Sequence, residues 1–308
     1  MTTTATRSAP PASPATTSPA PLPRPHRRSR RRRGAIGPLE RTIRWVLMIV
    51  AVAVVLGPLL WQLGTALKGA GEAVVGFPGS LVPSDPTLEN FVTAFTAVPL
   101  GRYLVNSAVI ALLGVTLNLV LATLTGYALA RIPFRGRTLY IGVLLATAAL
   151  PFEVILISTL LVTRGLGLQD TLLGVVLPQA VSIVSILVMR QAFLAIPDEI
   201  EEAARMDGAG AVRTFWSIML PSVRGSIAVV AVLGFLDSWD QFLWPLVILS
   251  DPANYPVNVG VQFLAGAFSA DQRVISAAAL IVMVPPLLVY FLLQKQVFTG
   301  LAEGALKG

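Results

Sequence analysis

The stretch EEAARMDGAGAVRTFWSIMLP, residues Glu201 to Pro221, separates two long apolar segments of the chain. Pro197 precedes it and suits the first position of a helix, and four acids among the next five residues lie where the helix dipole favours negative charge. Gly208 can adopt the left-handed conformation that ends a helix. A second helix, about Val212 to Leu220, is predicted to stop at Pro221. The stretch therefore predicts two short helices joined by a turn, too polar for a membrane interior and too short for a domain.

The composition of the whole chain indicates that this helix pair belongs to a membrane protein. The chain has 308 residues, of which 55% are hydrophobic and 13% charged, and its mean hydropathy is +0.74. One soluble core would bury far less apolar surface, so we expect lipid to surround much of the chain. The absence of cysteine and the presence of only one histidine, His26, argue against disulfide frameworks, thiolate chemistry and a histidine-built metal site.

The basic excess is confined to one end of the chain. Residues 1–44 hold ten Lys or Arg and one acid, whereas the remainder holds 13 basic and 15 acidic residues, so the net charge of +7 does not indicate a nucleic-acid partner. Residues 1–40 are rich in Pro, Ala, Thr and Arg and lack the apolar residues for a core. They are predicted to be a disordered cytoplasmic tail that orients the first span, followed by a transmembrane domain over residues 41–308.

Six segments are long and apolar enough to cross a hydrocarbon layer, which needs about 20 helical residues. The predicted fold is therefore all-α with six transmembrane helices, and both termini are cytoplasmic because the Arg-rich connections then face inward. The outward connection 68–104 is rich in Gly, Pro and Ser and is predicted to be an irregular loop with a short helix near Leu88 to Phe95. The predicted spans are 43–67, 105–130, 139–163, 171–194, 223–249 and 275–297.

The opening stretch carries a family resemblance. It matches the pattern EAA, three residues, Gly, nine residues and I-x-L-P, which resembles the EAA loop of permease subunits of ABC importers. Flanking segments, PTLENF (86–91), RYLVNS (102–107), GYALAR (126–131), IPDEIEEAARMDGAG (196–210) and FTGLAEGALKG (298–308), are similar to sugar-uptake permeases of the maltose type. The resemblance covers about residues 40–308. The pattern residues in this chain are Glu202, Ala203, Ala204, Gly208, Ile218, Leu220 and Pro221.

The resemblance implies a type I ABC importer permease fold in which residues 196–221 dock onto a cytoplasmic ATPase. Glu202 would make a polar or ionic contact with the ATPase, Ala203 and Ala204 would permit close approach, and Gly208 would allow the turn. Since this chain has no G-x-x-x-x-G-K-[ST] phosphate loop, ATP and Mg²⁺ would bind to the partner ATPase. No catalytic residue and no cofactor or metal site is expected on this chain. The competing interpretation is an amphipathic surface helix with no partner.

Further partners follow from the same resemblance. They are a second permease subunit that makes a heterodimer with this one, an extracytoplasmic solute-binding protein and a sugar substrate. The expected location is the bacterial plasma membrane, which the chain crosses several times. The sequence does not identify the sugar, because specificity in such systems rests largely on the binding protein.

Polar side chains inside the predicted spans are candidates for the translocation path. A carboxylate near a bilayer centre costs about 2.5 to 3.5 kcal/mol and usually faces a bundle interior or a watery cavity. Carboxylates and amides bind sugar hydroxyls, and an indole stacks on a sugar ring. One face of a continuous helix would present such groups, namely Asp237, Asp240, Gln241 and Trp244. Pairing with the partner permease is the alternative role for that face, and Glu153 is either a path residue or the partner of a polar group on a neighbouring helix.

Other functional classes fit the sequence less well. An intramembrane aspartyl hydrolase needs two carboxylates from different helices, whereas Asp237 and Asp240 lie three residues apart. An ion-coupled secondary transporter is expected to show an internal repeat, which is not evident between the halves of this chain, and it leaves the 202–221 loop unexplained. The nearest competitor is an ABC importer permease for a non-sugar solute, such as a polyamine or a phosphonate.

Overall fold

A computed structural model describes residues 37–74, 81–267 and 271–305. Regular structure within these ranges is helical, and an isolated antiparallel bridge joins Lys68 to Pro86, so the predicted all-α fold class is confirmed. Residues 1–36 of the predicted tail lie outside the described residues. The helices are α1 (Pro38–Ala66), α2 (Glu89–Ala97), α3 (Leu100–Arg131), α4 (Arg137–Ala148), α5 (Phe152–Gly165), α6 (Leu172–Val176), α7 (Ile183–Leu194), α8 (Asp198–Met206), α9 (Ala211–Thr214), α10 (Leu220–Ser222), α11 (Arg224–Trp239), α12 (Leu243–Ile248), α13 (Val257–Ala267) and α14 (Gln272–Ala305).

The chain divides into two units, Met1–Ala53 and Val54–Gly308. The described part of the first unit is the start of α1, where Pro38 and the acidic Glu40 in the first turn suit a helix N-terminus. The guanidinium of Arg44 donates to the Glu40 carboxylate at 2.5 Å, one helical turn away. Large apolar side chains follow and are exposed, such as Ile49 at 62%, which suits a helix in contact with lipid.

Among the residues that the structure describes, three helices are each long and apolar enough to cross a membrane. They are Leu39–Ala66, Leu100–Arg131 and Gln272–Lys295, with hydropathies of 2.4, 2.2 and 2.3. The predicted spans 43–67, 105–130 and 275–297 therefore correspond to single helices. Three further helix pairs pass the same test only when two helices are taken together, so the described residues contain three segments long and apolar enough to cross a membrane, or up to six if each bent pair is one span.

The other three predicted spans do not correspond to single continuous helices. In the third, α4 and α5 meet at 101°, because Pro151 caps α5 with extended backbone. In the fourth, the pair Leu172–Gln179 and α7 meet at 51°. The predicted fifth span, 223–249, is interrupted after Trp239: the pair that passes the test there is Ala211–Ser222 with α11, at 76°.

The main buried cluster of the second unit lies between α3, α7 and the segment from α9 to α11. Gly126 lets α3 approach α7 closely, since a Cβ placed there would lie 2.7 Å from the Met189 Cβ and 2.9 Å from the Arg190 nitrogen. The ring of Tyr127 packs edge-on against Phe193 at 5.3 Å. The buried side chains of this cluster include Ala122, Leu129, Ile186, Met189, Phe193, Phe215, Met219 and Val230.

Polar contacts order the connection that follows α1. The Asn90 amide donates to the carbonyls of Ala66 at 2.9 Å and Lys68 at 2.8 Å, which ties α2 to this connection. Lys68 is 1% exposed, and its ammonium donates to the Ala73 carbonyl at 2.8 Å. The predicted short helix near 88–95 is confirmed as α2, Glu89–Ala97.

A second polar centre joins the loop before α6 to the loop after α12. Asp170 has a φ of 59°, and its carboxylate accepts backbone N–H bonds from Ser250 and Asp251, each at 3.0 Å. The Asn254 amide donates to the Asp170 carbonyl at 2.9 Å. Hydrogen bonds from the two backbone N–H groups lower the pKa of Asp170, because they stabilise its ionised form.

Candidate functional site

Helix α8 and the turn after it contain the first part of the EAA pattern. Pro197 precedes the helix as its N-cap, and three acids occupy the first turn, as the helix dipole favours. Gly208 has a φ of +79°, and its N–H donates to the Arg205 carbonyl at 3.0 Å. The N–H of Ala209 donates to the Ala204 carbonyl at 3.0 Å. The predicted helix and its glycine turn are therefore both present.

The two alanines of the pattern lie on different faces of α8. Ala204 is 4% exposed and packs inward, whereas Glu202 and Ala203 are exposed. Of the two alanines expected to permit close approach of the ATPase, only Ala203 is therefore accessible on the surface of this chain. Adjacent positions on a helix point about 100° apart, so one of the pair turns away from the surface of the other.

The second helix of the pair differs from its predicted form. It begins at Ala211, widens into a π-helical turn over Phe215–Met219 and continues as α10 to Ser222. The prediction that Pro221 stops this helix was wrong, because the helix continues through Pro221 to Ser222. Pro221 lies in the first turn of α10, where proline is tolerated because its missing N–H is not required. The interruption instead falls at Val223, before α11.

Large apolar side chains of this segment are uncovered. Met206 is 88% exposed, Val212 73% and Trp216 60%, and Ile200 is 42% exposed. The sequence prediction of the docking residues missed Met206, Val212 and Trp216. Their signal was available, since large apolar residues in a segment too polar for a membrane need another apolar surface to cover them. Of the other pattern residues, Ile218 and Leu220 are half-buried and Pro221 is exposed.

An ion-pair network lies at the start of α8. The Glu201 carboxylate accepts from Arg205 at 2.8 Å and faces the Nε of Arg131 at 3.9 Å. Arg131 also pairs with Asp198, and its side chain is 7% exposed. In the sequence prediction Arg131 served only to orient the spans, because nothing local shows that the end of α3 meets α8.

The candidate path residues do not share one helical face. α11 ends at Trp239 with Asp240 as its C-cap, and α12 begins only at Leu243. Pro245 explains the interruption, because a proline cannot donate to the carbonyl four residues earlier and its ring clashes with that carbonyl. Asp237 and Asp240 are exposed.

Trp244 and Gln241 are less accessible than Asp237 and Asp240. Trp244 is 1% exposed, its indole N–H donates to the Gly174 carbonyl at 3.1 Å, and the Phe152 ring packs edge-on against it at 5.7 Å. Its ring face is therefore not open to a ligand in this structure. Gln241 is half-buried.

Glu153 lies in the first turn of α5 and is exposed, so it remains a candidate path residue. Within residues 37–74, 81–267 and 271–305, no three Asp, Glu, His or Cys side chains are grouped so that they could hold a metal ion.

The sequence comparisons concern the larger part of the chain. The family described as "Binding-protein-dependent transport system inner membrane component" matches residues 119–301. The sulfoquinovosyl glycerol transport system permease protein SmoH of Agrobacterium fabrum is 31% identical, over 87% of this chain and 94% of that protein. The arabinooligosaccharides transport system permease protein AraQ of Halalkalibacterium halodurans is 33% identical, over 73% and 81%. The sn-glycerol-3-phosphate transport system permease protein UgpE of Yersinia pestis is 31% identical, over 84% and 94%.

A solved structure shares the fold. It is a chain from the crystal structure of a bacterial ABC transporter involved in the import of the acidic polysaccharide alginate. The TM-score is 0.74 at 23% sequence identity, and the match covers 83% of this chain and 96% of that chain.

Proposed function

This chain belongs to the family of binding-protein-dependent transport system inner membrane components, and on that premise we propose that it is the permease subunit of an ATP-driven ABC importer for a sugar or oligosaccharide. It is an inner-membrane transport subunit and not an enzyme. Importers of this family combine a permease with an ATPase and a solute-binding protein. Its ATP and Mg²⁺ would be bound by the separate ATPase.

The observation that carries the proposal is the exposed helix pair at 196–221. Glu202 and Ala203 point outward on α8, and Met206 adds an apolar side chain that is 88% exposed. A cleft on the ATPase that covers this surface would bury the apolar side chains and pair the Glu202 carboxylate. Closure of the ATPase dimer on ATP would then move the helix pair and open the path outward.

The substrate class rests on the relatives. Two of the three permeases named above are named for glycosides, and the third is named for sn-glycerol-3-phosphate. A sugar is therefore the first candidate, and a non-sugar solute is the alternative. Asp237, Asp240 and Glu153 remain candidates for contact with the solute, with Gln241 beside them, whereas Trp244 is better explained as a core residue.

The experiment that tests the proposal is co-purification. The tagged chain is extracted from its native host in a gentle detergent, and the proteins that accompany it are identified by mass spectrometry. We expect an ATPase, a second permease and a solute-binding protein, and the binding protein is then screened for thermal stabilisation by sugars, glycerol phosphates and polyamines. Recovery of the chain alone, or only with itself, contradicts the importer assignment. Stabilisation by a non-sugar solute alone contradicts the substrate class.

Charge reversal at Glu202 tests the docking surface. We expect Glu202→Lys to lower the recovery of the ATPase and the rate of uptake while the chain still inserts in the membrane, because a lysine meets the ATPase with the wrong charge. The control is Glu89→Lys, which reverses an exposed acid in the first turn of α2, a connection predicted to face outward. Full ATPase recovery and uptake with Glu202→Lys would remove Glu202 from the docking surface.

A further inference from the structure

Arg131 connects three parts of the chain at the end of α3. Its Nη2 donates to the Phe193 carbonyl at 2.7 Å and to the Ile196 carbonyl, at the end of α7 and in the connector that follows. Its Nη1 donates to the Asp198 carboxylate, at the first position of α8. Its Nε lies 3.9 Å from the Glu201 carboxylate. One guanidinium thus holds the end of α7, the connector and the first turn of α8.

We propose that Arg131 is the positioning residue that fixes α8 relative to α3 and α7. A movement imposed on α8 is then passed to α3 and α7. The inference rests on the proposed function, in which an ATPase moves α8. Arg131 does not itself dock, because its side chain is 7% exposed. It acts through the orientation of the helix that carries Glu202.

The chemistry of the site requires an arginine. The last carbonyls of α7 carry the negative end of its dipole, and the Phe193 carbonyl accepts from the Ile196 N–H at 3.3 Å as well as from Arg131. Asp198 and Glu201 of α8 add formal negative charge on the other side of the guanidinium. A planar guanidinium can donate to a carbonyl and a carboxylate at the same time from separate nitrogens, whereas a lysine ammonium presents one point of charge.

Helices α3 and α7, which receive the movement of α8, are closely packed. Gly126 brings α3 against the backbone of α7 five residues before Arg131, and Phe193 belongs to the buried cluster between them. Packed helices of this kind shift as a unit rather than deform continuously. Arg205 differs from Arg131, since it pairs with Glu201 from a position that is 67% exposed, where an ion pair contributes little.

The first test measures the position of α8 in the isolated chain. The chain contains no cysteine, so Met206→Cys on α8 and Leu124→Cys on α3, at side chains that are 88% and 50% exposed, can carry two spin labels. We expect one narrow distance distribution in the parent and a broader one with Arg131→Gln. Arg131→Lys keeps the buried charge and is also expected to broaden it. The matched control is Arg135→Gln, an exposed arginine of the next loop, which should leave it unchanged. An unchanged distribution in both Arg131 variants overturns the proposal.

The second test uses the complete importer in vesicles. We expect Arg131→Gln and Arg131→Lys to lower uptake about tenfold, within the usual range of coupling between sites, while ATP hydrolysis continues. Uptake at the parental rate in both variants overturns the proposal. The distance measurement needs no ATPase, so it decides the role of Arg131 even if no ATPase accompanies the chain. A recovered ATPase with an unchanged distance distribution leaves the proposed function standing and rejects this inference.

Discussion

Gly208 determines the geometry of the turn between α8 and α9. Its φ of +79° lies in the left-handed region, and a Cβ built there meets no atom within 4 Å, so backbone conformation rather than space restricts this position. Gly210, two residues later, has an ordinary φ of −71° and is equally open. The two glycines therefore offer a matched comparison of backbone strain.

We expect Gly208→Val to strain the turn by about 1–3 kcal/mol, because a β-branched residue is a poor fit to positive φ. Uptake should fall while membrane insertion is unchanged. Gly210→Val adopts the extended conformation without strain and should retain most of the uptake. Comparison of uptake rates in vesicles at equal permease content checks the pair. Equal rates for the two variants would show that the turn does not matter for coupling.

Variants of Trp244 test whether this residue stabilises the buried core or lines the translocation path. We expect Trp244→Ala to lower the free energy of unfolding by about 3–5 kcal/mol, because it leaves a cavity and an unpaired Gly174 carbonyl. Trp244→Phe should be milder, and neither change should alter which solutes compete for uptake. Thermal unfolding in detergent and competition assays measure the two properties. A changed solute preference with unchanged stability would restore Trp244 to the path.

Single residues of the site were predictable where the cause was local. Gly208 could be identified because the EAA pattern locates the segment, and a glycine after a predicted helix can adopt the left-handed conformation that ends it. The sequence could not show that Ala204 turns inward, nor which acid is buried. The buried acid, Glu201, lies beside Arg131, whose other partner, Asp198, lies 67 residues later in the chain. No short-range pattern reports such a contact.

Among the helices, α3 approaches α7 closely enough for a Cβ to meet backbone atoms of α7. A Cβ on Gly126 would meet backbone and side-chain atoms of α7 at 2.7–3.1 Å. We expect Gly126→Ala to destabilise the chain by about 1–3 kcal/mol through overpacking. The control is Gly142→Ala on α4, where a Cβ meets nothing within 4 Å and alanine favours the helix. Thermal unfolding of the two variants in detergent checks this, and equal unfolding temperatures would contradict the close approach.

Helix continuity was the least predictable property at this scale. Hydropathy alone located the segments, and it was sufficient for α1, α3 and α14. It could not place the interruption after Trp239 or the bend of 101° between α4 and α5. A window of apolar residues has the same average whether the helix is straight or bent, so Pro151 and Pro245 were the signals to weigh.

Across the whole molecule, Asp170 ties two distant loops together. Its pKa is lowered in the folded protein by the N–H groups of Ser250 and Asp251. The ionised carboxylate therefore stabilises the fold above the ordinary aspartate pKa, and this contribution disappears as the pH falls through the lowered value. We expect Asp170→Asn to unfold at a lower temperature than the parent at neutral pH. The difference should shrink below about pH 4.

The control for this pH dependence is Asp207→Asn, at an exposed residue after α8. Its effect on the unfolding temperature should be small throughout. Asparagine is used at position 170 because it tolerates the positive φ of 59° better than most residues. A difference between parent and Asp170→Asn that stays constant from neutral to acidic pH would show that the carboxylate charge does not hold these loops.

The overall fold class followed from composition, since the apolar content exceeds what one soluble core can bury. The orientation of the spans and their number remain predictions, because hydropathy and the positive-inside rule concern the chain in a bilayer. The relation to an importer came from one patterned segment together with its position between apolar runs.

Trp216 is 60% exposed, so its fluorescence can report when a partner covers the 196–221 segment. Indole emission shifts to shorter wavelength when water around the ring is replaced by protein. Trp239 and Trp244 are already buried, at 3% and 1%, so covering the 196–221 segment leaves their surroundings largely as they are. Subtracting the spectrum of a Trp216→Phe chain isolates the signal of this one ring, and the binding of a cytoplasmic partner becomes visible without any added dye.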